Sequence, residues 1–99
     1  MTICPYILSI DFEWDEAKRL ANLAKHGIDF LDAKAAIENS PVLFEDDRKA
    51  YGERRCIAAG EVGGRLLIVV FTLRGGAFRI ISARKANARE RSHYADELY

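Results

Sequence analysis

The sequence predicts an α+β fold in which an antiparallel sheet is flanked by two N-terminal helices and one C-terminal helix. Residues 65–73 form a nearly continuous apolar, β-branched run, which is typical of a central strand covered on both faces. Gly-Gly pairs stand before and after this run, and such pairs are typical of tight turns between antiparallel strands. Two segments with helical spacing precede the strands and one follows them.

The N-terminal segment predicts a strand followed by a helix. Residues 10–14 alternate apolar and acidic side chains, which suits a short strand. Asp15 can accept the free amide hydrogens of a helix over residues 16–26, and Gly27 provides a stop signal. An apolar stripe on this helix is formed by Leu20, Leu23 and Ala24 with the preceding Trp14.

A second helix is predicted directly after the first. Asp29 can cap a helix over residues 30–38. Helical spacing is shared by Phe30, Ala33, Ala36 and Ile37. Pro41 ends the helix, because the residue before a proline disfavours helical backbone. The two helices, joined by KHGID, predict a helical hairpin that packs on one face of the sheet.

The next strands are predicted on either side of a polar loop. Residues 42–44 form a short strand, and residues 45–52 form a loop long enough to carry function. Residues 53–61 form a further strand, whose side chains alternate between the two faces. One face holds Glu53, Arg55, Ile57 and Ala59, and the other holds Arg54, Cys56 and Ala58.

The chain is predicted to close with a strand and a helix. Residues 77–83 form the last strand, and Asn87 with Glu90 resembles a capping box for a helix over residues 88–98. Since two helices occupy one face of the sheet, the other face of the central strand is left largely uncovered. That uncovered face is a candidate partner surface.

The length and composition of the chain predict one small cytoplasmic domain. A chain of 99 residues suffices for one modest core, so residues 1–99 are expected to form a single domain. No apolar run reaches membrane-spanning length, and the apolar start lacks the basic residues and cleavage site of a signal peptide. Cys4 and Cys56 leave a disulfide open but fit no CxxC pattern, and a reduced cytoplasmic protein is expected.

The net charge of zero hides an asymmetry between the two halves of the chain. Residues 1–47 hold ten acidic and four basic residues, and residues 48–99 hold five acidic and eleven basic residues. The halves therefore carry −6 and +6. It stays open at this point whether these charges form separate faces or mix in three dimensions. Four cations near the last hairpin predict anion binding: Arg74, Arg79, Arg84 and Lys85.

Three separated segments of the chain resemble the BrnT family, the toxins of a class of bacterial type II toxin–antitoxin modules. The segments are FEWDEAKRLANLAKHGIDF, DDRKAYGERR and RIISARKANARER, in the family's order and spacing across about residues 11–94. Residues 1–10 lie before the usual family start, as an N-terminal extension. The resemblance implies a RelE-like fold, ribonuclease activity that stops translation, and neutralisation by a BrnA-type antitoxin. It also implies that the toxin–antitoxin complex binds operator DNA, mainly through the antitoxin.

Metal-independent RNA cleavage needs a base, an acid and cations that stabilise the phosphorane. His26 is the best candidate for proton transfer, because the ordinary histidine pKa lies near neutrality and the residue falls in the family's KHG motif. Its alternative role is to cap the C-terminus of its helix. Lys25 is a candidate phosphate ligand or a solvated helix end. No metal site or cofactor is expected, since the histidines and cysteines lack ligand spacing.

The strands carry the other candidate catalytic residues. Glu53 and Arg55 share a strand face, either as base and phosphate clamp or as an exposed ion pair of little energetic value. Arg79 stands alone in an apolar strand, where an arginine without a partner is unlikely to be buried. Its face is therefore expected to be an open cleft that binds phosphate.

Four further residues are candidate RNA or phosphate ligands. Arg84 and Lys85 follow the last predicted strand, where they face a backbone phosphate or only solvent. Arg48 and Tyr51 lie in the polar loop, and Tyr51 either stacks on a base or covers the edge of the core. The neutral net charge weakens the nuclease interpretation, because a free ribonuclease toxin is expected to be basic. The alternative is a non-catalytic antitoxin-binding and co-repressor module with a basic cleft. A metalloenzyme is a less favoured third alternative.

Overall fold

A computed structural model describes residues 11–39, 42–46 and 55–98 of the chain. Residues 1–10, which the resemblance predicts as an extension, lie outside the described residues. The elements in chain order are β1 (Asp11–Glu13), α1 (Glu16–His26), α2 (Phe30–Asn39), β2 (Val42–Asp46), β3 (Arg55–Val62), β4 (Arg65–Arg74), β5 (Ala77–Lys85) and α3 (Ala88–Leu98). The strands form a five-stranded sheet in the order β1-β5-β4-β3-β2.

The α+β class and the placement of the helices before and after the strands are confirmed. The hairpin strands β2 to β5 pair antiparallel, as predicted. The prediction is incomplete at one edge, because β1 pairs parallel with β5. Since β1 is followed by two helices rather than a hairpin turn, its local sequence does not reveal its partner strand or its direction.

Local signals place the helix ends correctly. The carboxylate of Asp15 accepts a hydrogen bond from Lys18 N at 3.2 Å. Gly27 ends α1 with a φ of 71°, a left-handed conformation that glycine adopts without steric cost. At the start of α3, Glu90 N donates to Asn87 Oδ1 at 2.8 Å and Asn87 N donates to Glu90 Oε1 at 3.0 Å, which is the predicted capping box.

The main core lies between α2 and one face of the sheet, here called the helical face. Strand residues Ala58, Leu67, Val69, Phe78 and Ile80 face this core. They pack against buried residues of the helical hairpin: Ile28, Phe30, Ala33, Ala36 and Ile37. Gly60 lets α2 approach β3 closely, because a Cβ at this position would lie 2.2 Å from the carbonyl oxygen of Ala36.

The opposite face of the sheet, here called the α3 face, carries a second and smaller cluster. It contains Ile57, Ala59, Leu66, Ile68 and Ala86, and Tyr94 of α3 packs against it. The residues of β3 therefore alternate between the faces, as predicted. Within the described part of the chain, no helix is both long enough and apolar enough to cross a membrane.

The predicted apolar stripe of α1 points away from the core. Leu20 is 54% exposed and Leu23 is 39% exposed, whereas the buried residue of this helix is Asn22. Trp14 leaves the stripe and packs edge-on against Phe30, with ring centroids 6.1 Å apart. Helix α1 thus turns a polar side to the molecule and an apolar side to solvent, the reverse of an ordinary surface helix.

Candidate nucleic-acid interface

Asn22 fixes α1 against the edge of β5. Its amide nitrogen donates to Ala83 O at 2.8 Å and to Ile28 O at 2.9 Å. Its amide oxygen accepts from Ala83 N at 3.1 Å. Since β1 pairs only with residues 77–79 of β5, the side chain of Asn22 takes the place of a strand partner farther along this edge. These three bonds explain why the polar side of α1 faces inward.

A concavity of about 220 Å³ lies between α1 and β5. Lys18, Lys25 and His26 line it from α1. They share one side of the helix, because Lys25 and His26 follow Lys18 by seven and eight residues, about two helical turns. Ile81 and Ser82 line it from the strand. The structure therefore brings the predicted residues Lys25 and His26 together, next to a second ammonium group. Two exposed lysines and a half-buried histidine around a concave surface suit an anionic ligand.

Two predicted arginines lie in one row across the α3 face of the sheet. Arg55 pairs with Thr72, and Thr72 pairs with Arg79, so the two arginines stand two strands apart. That separation is about 10 Å between the backbones. Glu13 of β1 extends the row beside Arg79, and its Oε1 lies 3.6 Å from Arg79 Nη1. We call this set the arginine row: Glu13, Arg55, Thr72 and Arg79.

Thr72 occupies the middle of the arginine row and is fully buried. Its Oγ1 has no hydrogen-bond partner among the described residues. A buried hydroxyl without a partner carries a desolvation cost, so such groups are informative where they occur. Arg79 keeps 25% of its side chain exposed and Glu13 keeps 41%. The row therefore places two guanidinium groups and a carboxylate at a partly accessible surface, with the buried hydroxyl of Thr72 between the two arginine positions.

The predicted catalytic residues that the structure describes form two groups, which meet β5 at neighbouring positions. Arg79 belongs to the arginine row near the start of the strand, whereas Lys25 and His26 lie beside Ile81 and Ser82. The pairing of β4 with β5 shifts in this interval, because Val70 faces Ser82 while Phe71 faces Ile80. This β-bulge bends the strand and changes the direction in which its side chains point.

Arg84 holds the start of α3. Its two terminal nitrogens bind the two carboxylate oxygens of Glu90 at 2.7 and 2.8 Å. This charge-assisted pair lowers the pKa of the Glu90 carboxyl, helped by the hydrogen bond from Asn87 N. Arg84 thus has a structural partner in the ligand-free chain, and its predicted contact with RNA stays a prediction.

The remaining predicted residues divide into those the structure describes and those it does not. Lys85 is exposed at the end of β5, close to the first turn of α3. Glu53, Arg48 and Tyr51 lie outside the described residues. Their predicted roles as base, phosphate ligand and base-stacking residue stay predictions. Among the described residues, no group of three or more His, Cys, Asp or Glu side chains could hold a metal ion.

Several residues of this interface were not predicted from the sequence, among them Lys18, Thr72, Asn22 and Glu13. Thr72 had a usable signal, since it is the one polar residue within the apolar run 65–73 apart from its first arginine. Asn22 lies on the side of α1 opposite the leucines, which places it on the expected solvent side. Glu13 belongs to a short strand whose partner strand is distant in the sequence, so its position next to Arg79 had no local signal.

Comparison with models of protein families gives a match over most of the chain. No curated protein matches the chain. Residues 14–90 match the family model described as the ribonuclease toxin, BrnT, of type II toxin-antitoxin systems. The match covers α1 to β5 completely. It includes the arginine row except Glu13, and it includes all the residues that line the concavity between α1 and β5. The chain therefore belongs to the BrnT family of ribonuclease toxins of type II toxin–antitoxin systems.

Proposed function

We propose that the chain is an endoribonuclease that cleaves RNA without a metal ion, by attack of the 2′-hydroxyl on the neighbouring phosphate. The arginine row is the observation that carries this proposal. Two guanidinium groups flank the buried hydroxyl of Thr72, and a carboxylate lies 3.6 Å from one of them. Cations stabilise the charge that develops on a phosphorane, and this chemistry needs no metal.

We assign roles to the residues as follows. Arg55 and Arg79 hold the phosphate oxygens from either side of the buried Thr72. Glu13 accepts the proton of the 2′-hydroxyl, as a positioned carboxylate next to Arg79 can. The predicted base Glu53 precedes Arg55 by two residues and is the competing candidate for this role.

We assign His26, the candidate for proton transfer, as the acid that protonates the leaving oxygen. Ser82, which lines the concavity with His26, lies three residues from Arg79 on β5. That interval is about 10 Å of strand, which the two side chains and one nucleotide can span. Lys25 and Lys18 hold the adjoining phosphate, and Arg84, Arg48 and Tyr51 contact the RNA farther along.

The proposal predicts cleavage in excess EDTA by purified protein that is free of antitoxin. A labelled RNA should yield fragments that end in a 2′,3′-cyclic phosphate. Arg79→Ala should lower the rate about a hundredfold or more, because it removes a cation at the developing charge. Arg89→Ala is the control, since Arg89 is an exposed cation of α3 outside both the arginine row and the concavity beside α1, and it should cleave at the wild-type rate.

Two results would contradict this assignment. Equal cleavage by wild type and Arg79→Ala would remove the arginine row from the reaction. Loss of wild-type cleavage on adding EDTA, with recovery on adding a divalent cation, would replace the metal-independent mechanism. Cleavage that appears only when ribosomes are added would retain the row and make the ribosome part of the substrate.

We further propose that a BrnA-type antitoxin neutralises the chain in the cytoplasm, and that the complex binds operator DNA through the antitoxin. A non-catalytic antitoxin-binding module is the second candidate function. The outward apolar side of α1 supports a protein partner, because exposed leucines in a stripe mark interaction surfaces.

A further inference from the structure

A second basic concavity lies at the far end of the sheet. Its volume is about 230 Å³. It forms where the turn between β3 and β4, the start of β4, the end of β5 and the first turns of α3 meet. We call it the distal concavity, and its lining consists of Gly64, Arg65, Leu66, Lys85, Ala86 and Arg91.

Three cations and no carboxylate line the distal concavity. Arg65 Nη2 lies 3.8 Å from Asp32 Oδ2, and both side chains are about two-fifths exposed. An exposed ion pair at that distance contributes little free energy, so Arg65 can exchange Asp32 for another anion. Lys85 is exposed beside it. Three positive charges therefore converge on a space with no acidic group of its own.

Arg91 is already held in place for a ligand. Its Nη1 donates to Ala86 O at 3.0 Å. An arginine has five N–H donors, so this bond fixes the direction of the guanidinium while four donors remain. A guanidinium held in this way loses less side-chain entropy on binding a phosphate than a mobile one.

We propose that the distal concavity binds a backbone phosphate of RNA, outside the place of cleavage. This inference rests on the proposed function, since it extends the path of the same RNA. The lining favours a phosphate over a protein segment, because its apolar members Leu66 and Ala86 are almost fully buried. A protein partner needs accessible apolar anchors, whereas a phosphate needs only cations and N–H donors.

An RNA bound at Arg79 must exceed a minimum length to reach the distal concavity. Arg79 and Lys85 lie six residues apart on β5, a distance of about 20 Å. Ile81 and Ser82 lie between them, beside the concavity that contains Lys25 and His26. An RNA that follows β5 therefore passes three groups of cations in order. A dinucleotide spans the first two groups, where cleavage takes place, and does not reach the third.

Binding and cleavage by the double variant Arg65→Gln/Lys85→Gln test this inference. The binding probe is a labelled 2′-O-methyl oligoribonucleotide of about twelve nucleotides, which lacks the attacking hydroxyl and cannot be cleaved. The double variant should bind it about tenfold or more weakly at low salt. The slope of log affinity against log salt should fall by about one to two, one for each lost phosphate contact.

Two controls distinguish a loss of binding at the distal concavity from a general effect of lost positive charge and from an effect on the cleavage site. Arg89→Gln removes an exposed cation of α3 outside the lining and should change the affinity less than twofold. Cleavage of a dinucleotide by the double variant should equal that of wild type, since the substrate does not reach Arg65 or Lys85. Circular dichroism of both variants checks that the fold is retained.

Unchanged RNA affinity and an unchanged salt slope in the double variant would overturn the inference. So would a loss of antitoxin binding with no loss of RNA binding, which would make the distal concavity a protein-docking surface. The RNA-binding measurement does not depend on whether the chain cleaves RNA. If wild type never cleaves but the double variant still loses RNA affinity, the phosphate site stands and the nuclease proposal fails.

Discussion

At the scale of single residues, Asn22 joins three segments of the chain. Its side chain makes three hydrogen bonds, to both backbone groups of Ala83 and to the carbonyl of Ile28. The residue is 7% exposed, so these bonds are shielded from water. It therefore sets the rotation of α1, the turn into α2 and the position of Lys25 and His26 beside β5.

Asn22→Leu should lower the free energy of unfolding by about 2 to 4 kcal/mol. Leucine has a similar size but leaves the N–H and C=O of Ala83 buried without partners. Urea denaturation measures the change. Lys18→Ala is the control on the same side of the helix, and it should stay within about 0.5 kcal/mol of wild type because Lys18 is exposed. Equal stability of Asn22→Leu and wild type would show that water replaces these bonds.

At the scale of helices and strands, the attachment of α3 combines a helix cap with an ion pair. Glu90 closes the capping box with Asn87 and binds Arg84 through both carboxylate oxygens. Burial raises the pKa of Tyr94 in the same helix, with a contribution from the negative charge of Glu90. The Glu90 carboxylate therefore joins the start of α3 to the end of β5.

The stability contributed by Glu90 should depend on pH with a defined sign. Arg84 lowers the pKa of this carboxyl in the folded state, so the ionised form is favoured by folding. The contribution is complete above the unfolded pKa of about 4.3 and is lost as pH falls through the lower folded value. Glu90→Gln retains a side-chain oxygen for the cap but loses the charge. Unfolding of both proteins from pH 7 to pH 3 should show their difference in stability shrinking in acid.

A difference between wild type and Glu90→Gln that stays constant through the acid range would contradict this account. It would show that the cap, and not the ion pair with Arg84, carries the stabilisation. The comparison uses the difference between two proteins because other carboxylates titrate in the same range. Glu16 is one of them, since its hydrogen bond from Arg19 also lowers its pKa.

Structural features that depend on residues close in the sequence could be predicted, whereas contacts between distant segments could not. The caps at Asp15, Gly27 and Asn87 were predicted correctly, because each depends on backbone groups within one helical turn. The outward stripe of α1 was not predicted, because the bonds that turn the helix join Asn22 to Ala83 across most of the chain. The pairing of Glu13 with Arg79 was missed for the same reason.

At the scale of the whole molecule, the acidic and basic halves of the sequence are partly interleaved. Arg79 meets Glu13, and Arg65 meets Asp32, each pair joining the two halves. Lys18 and Lys25 of the acidic half join the cations along β5. A neutral chain can therefore present a basic path for RNA, while the leucines of α1 form a separate apolar surface.

The apolar surface of α1 should be needed for binding of antitoxin and not for folding. Leu20→Asp/Leu23→Asp should fold with nearly wild-type stability, because both side chains are already exposed. The same variant should fail to co-purify with a co-expressed BrnA-type antitoxin. Leu73→Asp is the matched control, since Leu73 is 47% exposed on β4, and it should co-purify normally. Retention of the antitoxin by the α1 variant would show that the antitoxin binds another surface.

The bonds from Asn22 to Ala83 also bear on how copies of this chain meet one another. A strand edge with unpaired N–H and C=O groups is a template on which a second copy can add its own strand. Among the described residues, the short strand β1 pairs with the first residues of β5, and an amide side chain occupies the backbone groups of Ala83 farther along. Helix α1 thus blocks edge-to-edge aggregation at this position, so Asn22→Leu should also make the protein prone to assemble through β5.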